Sequence, residues 1–253
     1  MNERYLQHVV VSASMLNENS HFTLAACQQI ILDATEKKAI QEREDVPYLI
    51  EHYGISWVML SMTVEFLRTI KPGETLTAEY VSDSKQGFIF RRDVMVLDTD
   101  GQIVLRGAIF LGVLDIKTRK LLRSGPLMDK LKAKEGPGLF MAVSKVRYDV
   151  QQFQEVHTRR IYPSWLDELG HVNNRRYGEM AYDAMTSERR RDLGEIARYE
   201  IYFMHELHAD DVVSIRRREV SDGVDIVGVS DNEGFDSFLV RCRFRNTPVS
   251  RRT

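Results

Sequence analysis

An order of secondary-structure signals that occurs twice restricts this chain more than any other feature. In the first half a short apolar run, His8 to Met15, precedes Leu24, Cys27, Ile31 and Ala34 at helical spacing, with Ile30 beside them. The stretch "ISWVMLSMTVEFL" (Ile55–Leu67) is β-rich and nearly continuous, as a strand covered on both faces would be. After the turn residues "KPGE", "TLTAEYV" (Thr75–Val81) alternates Leu76, Ala78 and Tyr80. "FIFRRDVMVL" and "IVLRGAIFLGVL" follow, joined by "DTDG", a hairpin signal.

The second half repeats the order. Lys145 to Tyr162 reads as a strand or pair of strands, and the helix after Asn174 puts Tyr177, Met180, Ala181, Ala184 and Met185 on one face. Strands then run near Tyr199–Glu206, Val212–Val220, Val224–Val229 and Phe235–Phe244, with "HADD", "SDG" and "DNEG" between them. A helix against a bent antiparallel sheet, made twice in tandem, predicts an α+β double hotdog, each sheet wrapped around a central helix. Joining the two sheets edge to edge would cover strand edges that invite aggregation. The expected layout is a first repeat over 1–123, a linker with a short helix over 124–142, a second repeat over 143–247 and a tail over 248–253. The linker is placed by "SGPLMDKLKAKEGPGLF" (Ser124–Phe140), bounded by Gly/Pro pairs and rich in lysine.

Composition narrows the function. The chain has 253 residues, 43% of them hydrophobic, which gives enough apolar material for a core. A net charge of -2 argues against a nucleic-acid partner, whose binding rests on a basic surface. No apolar run approaches the ~20 residues that cross a bilayer, and "MNERYLQHVVV" has no signal-peptide apolar region. Cys27 and Cys242 form no disulfide framework and no metal-ligand spacing. A cytoplasmic protein with buried thiols, no metal and no cofactor is the expectation.

The chemistry concentrates in "SWLDELGHVNN", between the first strand of the second repeat and its helix. One asparagine, Asn173 or Asn174, suffices to cap the helix; Asp167, Gly170 and His171 together ask for more. A helix N-terminus offers unpaired N–H groups and partial positive charge, so the backbone around Gly170, Val172, Asn173 and Asn174 can polarise a carbonyl and hold an oxyanion. Gly170, without a Cβ, lets the backbone approach a ligand. Asp167 can serve as base or nucleophile, and His171 can donate to the same oxygen or orient a carboxylate. The matching place in the first repeat, "MLNENSHFTLAAC", keeps a polar helix start but lacks the Asp-x-x-Gly-His pattern. One active site per chain is expected, with the first repeat supplying a binding cavity.

On "WVMLSMTVEF", "RRDVMVLDTDGQIVLRGAIFLGVLDIKTRKLLR", "SWLDELGHVNNRRY" and "YFMHELHADDVV", the chain resembles the acyl-acyl carrier protein thioesterases of plants and bacteria over nearly its whole length. The string around Asp167 is shared with single-hotdog acyl-CoA thioesterases, so it specifies thioester hydrolysis better than the carrier. The resemblance implies release of free fatty acid from acyl carrier protein, ending fatty acid synthesis, with the family's catalytic Asp, His and Glu at Asp167, His171 and Glu206. Its Asn two residues after the Asp is here Leu169, and a position often Cys is Leu207. Acyl-tunnel candidates are Trp57, Met59, Met62 and Phe110. Arg175, Arg176, Arg189, Arg190 and Arg191 are candidates for docking an acidic carrier. Two repeats in one chain allow a monomer or a homodimer. The alternatives are an acyl-CoA thioesterase of the same fold or a non-catalytic acyl-binding protein; a hydratase pattern, with Asp and His five apart, does not fit.

Overall fold

The apolar set at helical spacing folds as expected: Leu24, Cys27, Ile30, Ile31 and Ala34 are all buried on one helix, α1 (Leu24–Glu42). The computed structural model describes residues 5–131, 133, 146–232 and 234–245. Residues 132 and 134–142 of the expected linker, and the expected tail, lie outside the described residues. The described chain forms two units, one of residues 5–9, 30–64 and 75–133, the other of residues 10–29, 65–74 and 146–245.

In the first unit, β1 (Leu6–Val10) precedes α1, and α2 (Val46–Tyr53) follows it. Next come β2 (Ile55–Phe66), β3 (Thr75–Gln86), β4 (Ile89–Leu97) and β5 (Ile103–Asp115), the short β6 (Lys120–Leu122) and α3 (Pro126–Lys130). Sequence periodicity passed over α2, although its punctuation is present: a proline in the first turn and Gly54 in the left-handed region at the C-cap, φ 66°. The strand order is β1-β3-β4-β5-β2, with β6 on β5. A Cβ on Gly107 would lie 2.6 Å from Ile31 Cδ1, so that face of β5 packs directly on α1.

The second unit holds β7 (Gln154–Arg160), α4 (Asn174–Asp183), α5 (Ser187–Arg191), β8 (Ile196–Phe203), β9 (Val212–Val220), β10 (Gly223–Ser230) and β11 (Asp236–Phe244). Its strand order is β8-β11-β10-β9-β7, antiparallel throughout. Among the described residues of the stretch expected as strand over Lys145–Tyr162, β7 forms, Lys145 lying outside them, and the strand expected to reach Glu206 stops at Phe203. Tyr177, Met180, Ala181, Ala184 and Met185 are buried as their spacing required. The start of α1 crosses α4 at Gly178, where a Cβ would meet Gln28 Oε1 at 2.3 Å and Ala25 N at 3.3 Å, and Gln28 Nε2 donates to Asn174 O (3.2 Å). No described helix is long and apolar enough to cross a membrane.

Candidate active site

The loop before α4 is tied by its own backbone. Leu166 and Val172 form a β-bridge, Asp167 N–H donates to His171 O (2.8 Å), and Gly170 N–H donates to Asp167 O (3.1 Å). Asp167 Oδ1 accepts the N–H groups of Leu169 (2.9 Å) and His171 (3.3 Å), the side-chain turn that short carboxylates favour. Gly170 has φ +79° with nothing within 4 Å of a Cβ. The left-handed backbone by itself favours glycine at this position.

At the helix start Asn173 is the cap, its side chain accepting Arg175 N–H at 3.2 Å. The oxyanion expectation narrows here. Val172 N–H donates to Leu207 O and Asn173 N–H to Trp165 O, each at 2.9 Å, so both donors are spent on holding the loop, as is Gly170 N–H. Of the four positions named, Asn174 alone has an N–H outside these bonds; it opens α4, where the helix dipole is most positive.

Glu206 lies past the end of β8, in a segment fixed to β11 by bonds from Met204 and His205 N–H to Ser237 O (2.9 and 3.1 Å). Its Oε2 stands 3.3 Å from His171 Nε2, the side chains being 34% and 18% exposed, wet enough for substrate to reach and dry enough to strengthen the contact. Beneath them lies Tyr177, buried with its ring between Phe203 and Phe238. Burial pushes the Tyr177 phenol well above its ordinary value; the charges of Glu206 and Asp167 act in the same direction, and hydrogen bonds with Ser237 and the Leu207 backbone oppose them. Both carboxylates thus bear on one phenol, next to one imidazole. Leu169 is 42% exposed and Leu207 fully buried, so neither leucine enters this group as a polar side chain would.

Two further neighbours escaped sequence reading. The spacing of Tyr177 places it in the core, which conceals its polar end. His208, two residues past Glu206 in "HELHADD", carries its ring 5.1 Å from that of His171, edge to face. The repeated histidine was the available signal.

The docking candidates separate. Arg189 pairs with Glu219 (3.0 Å) and donates to Gly223 O (3.2 Å), and Arg190 pairs with Glu18 (3.2 Å) and donates to Met185 O (2.8 Å). Both are engaged within the fold. Arg176 pairs with Glu179 (2.6 Å), Arg191 with exposed Glu188 (3.4 Å), and Arg175 is exposed.

The tunnel candidates also divide. A Cβ on Gly112 would meet Leu121, Val58 and Leu60 at 2.8, 3.4 and 3.6 Å, on the face of β5 opposite the one Gly107 turns to α1. Alternation then places Trp57 and Met59 toward α1 and Met62 and Phe110 away from it, so the four do not line one tube. On the α1 side, Lys38 is buried with Asp83 (2.7 Å), Glu42 (2.8 Å) and Glu44 (3.4 Å) about its ammonium. Arg92 lies over the Trp57 ring at 4.8 Å, and Trp57 Nε1 donates to Glu44 O (2.7 Å). Burial alone would lower the Lys38 pKa; the surrounding carboxylates outweigh it and hold it raised. An alkyl chain gains nothing among such ions, whose stability depends on staying paired. A cavity of about 220 Å³ in the same unit, lined by Glu42, Glu44, Tyr48, Tyr53, Leu131 and others, includes none of the four candidates.

Antiparallel strands set with helices in each unit are the double-hotdog architecture. The model of the acyl-ACP thioesterase N-terminal domain matches residues 2–126. The acyl-ACP thioesterase of Bacteroides thetaiotaomicron is similar in structure, with a TM-score of 0.80, 20% identity and coverage of 96% of this chain and 98% of that one. The 12:0-ACP thioesterase of Umbellularia californica gives 0.79 at 14% identity, with 96% and 98% covered. No curated protein sequence matches the chain significantly. Over residues 2–126 the chain matches the acyl-ACP thioesterase family, and the likeness in fold extends over nearly its whole length. Hydrolysis of fatty acyl thioesters of acyl carrier protein is the activity that these matches support.

Proposed function

We propose that this hydrolysis runs on Glu206, His171 and Asp167 at the start of α4. The observation that carries the proposal is the 3.3 Å approach of Glu206 Oε2 to His171 Nε2, on a loop that Asp167 Oδ1 holds in shape. Glu206 takes a proton from a water that attacks the thioester carbonyl, and His171 orients the Glu206 carboxylate. The oxyanion lies toward Asn174 N–H and the positive end of α4. As the tetrahedral intermediate collapses, the C–S bond breaks and the proton held by Glu206 passes to the departing thiolate. Free fatty acid and carrier thiol result.

Direct attack by Asp167, through a mixed anhydride, is the less favoured route. Its Oδ1 accepts two N–H bonds, which lower the nucleophilicity of the carboxylate and tie it to the loop. Asp167 serves better by fixing the His171 backbone and adding negative charge beside the water. The same proposal includes a cytoplasmic setting, in keeping with two free, buried cysteines, and carrier contact through Arg175, Arg176 and Arg191. A monomer or homodimer fits equally.

The test is release of free fatty acid from acyl-ACP and from acyl-CoA of matched chain length. Carrier substrates should turn over faster, and Glu206→Gln and Asp167→Asn should each reduce the rate by about 10²-fold or more. Unchanged rates in both variants would remove the site assignment, and equal or faster turnover of acyl-CoA would remove the carrier preference.

A further inference from the structure

The donors around the active site have a second capacity. His171, Glu206 and His208 present ligand atoms that all lie within 4.8 Å of one another. We propose that these three side chains bind a transition-metal ion, Zn²⁺ foremost, and that its binding switches the hydrolase off.

Two imidazoles and one carboxylate, with a fourth position left to water, form a common open zinc donor set. Donors about 2.0–2.2 Å from a tetrahedral ion stand roughly 3.3–3.6 Å from each other. The 3.3 Å between His171 Nε2 and Glu206 Oε2 already meets that spacing. The His208 side chain, 56% exposed, has room to close the remaining gap. Asp211 stands behind it: Asp211 Oδ2 accepts His208 N–H at 2.8 Å and lies 4.0 Å from His208 Nδ1. Were the ring to turn and close that 4.0 Å gap, the carboxylate would fix its orientation and raise its basicity. The donors select imidazole-seeking ions over Mg²⁺ and Ca²⁺, which require oxygen cages. Cys27 and Cys242, the softer ligands, are fully buried and do not compete.

Inhibition rests on the catalytic reading above, whereas metal binding does not. A metal ion would occupy the Glu206 lone pair that takes the proton from water and the His171 nitrogen that orients it.

The experiment titrates Zn²⁺ into metal-free protein by calorimetry, with His208→Gln and the off-site control His52→Gln beside the parent. Turnover is followed as free fatty acid, because Zn²⁺ binds the thiol product. The parent and His52→Gln should bind one ion per chain, and His208→Gln at least about tenfold more weakly. Saturating Zn²⁺ should leave the parent less than a tenth of its turnover, recovered on adding a chelator. His208→Gln should turn over within about twofold of the parent and keep most of that rate in the same Zn²⁺. Equal affinity in His208→Gln overturns the site. Binding that leaves the rate unchanged, or raises it through a metal-bound hydroxide, overturns the inhibition. His208-dependent binding in a protein inactive on every thioester supports the metal site and sinks the catalytic assignment instead.

Discussion

The second unit builds one loop twice, and only one copy carries the Asp-x-x-Gly-His pattern. In the earlier copy Asn17, Ser20 and His21 take the places of Asp167, Gly170 and His171. Asn17 N–H donates to His21 O (2.9 Å), Ser20 N–H to Asn17 O (3.0 Å), and Asn17 Oδ1 accepts from Asn19 and His21 N–H (2.9 Å each). Leu16 and Phe22 bridge as Leu166 and Val172 do, and Thr23 caps the following helix as Asn173 does. These bonds of the turn are the same in both copies. The partners of the histidine are not. His21 Nε2 is bonded to Arg191 O (2.9 Å) under Gly194, where a Cβ would touch its ring at 2.8 Å. His171 Nε2 faces Glu206 instead. The loop is a fold element; in the proposed mechanism, reactivity comes from what is set opposite it.

The largest effect should fall on that opposing group. Glu206→Gln should lower kcat by about 10²–10⁴-fold, while His21→Gln in the quiet loop should leave it within about twofold. Steady-state rates on one acyl-ACP, with circular dichroism showing intact folds, decide the matter; a comparable loss in His21→Gln would make the loops functional equals. Next in size is the exchange of the turn residue. Asp167→Asn preserves an acceptor for both N–H bonds, so it should cost about 10²-fold in rate with the denaturation midpoint unchanged. Asn17→Asp loses the bond from Asn17 Nδ2 to Arg190 O (3.3 Å) and should cost about 1 kcal/mol of stability with no change in rate.

Backbone strain separates the copies less sharply. Gly170 sits at φ +79° and Ser20 at φ +60°, so the earlier loop tolerates a side chain in the left-handed region. Gly170→Ala should destabilise by about 1–2 kcal/mol. Ser20→Gly should stay within about 0.5 kcal/mol, since relief of strain is offset by extra freedom in the unfolded chain. Urea unfolding of both variants checks this, and equal costs would show that the two turns differ in more than the residue at the φ-positive position.

Sequence carried much of this and missed the rest for physical reasons. The periodic faces of α1 and α4 were legible because burial demands period, and Asp167, Gly170 and His171 because one cap does not require three such residues. The likeness of the two loops was hidden because its bonds are backbone bonds, which Asn17 and Ser20 support as well as Asp167 and Gly170 do. Opposite faces of β2 and β5 read as one apolar set, so Met62 and Phe110 were grouped with Trp57 and Met59. The ions around Lys38 come from α1, the residues after it, β3 and β4, a convergence that no local pattern contains.

The smallest effect bears on the residue where this chain departs from the family pattern. Leu169 stands where the resemblance places an asparagine, at the tip of the turn, 42% exposed, with its N–H held by Asp167. If the site consists of Glu206, His171 and Asp167, a side chain directed away from them has little influence. Leu169→Asn should then change turnover by no more than about threefold, less than 0.7 kcal/mol in the barrier. A rise of tenfold or more would mean that the amide reaches the water or the carbonyl during turnover. The loop would then have to close over the substrate, and the difference between its two copies would extend to their motion as well as to the groups they face.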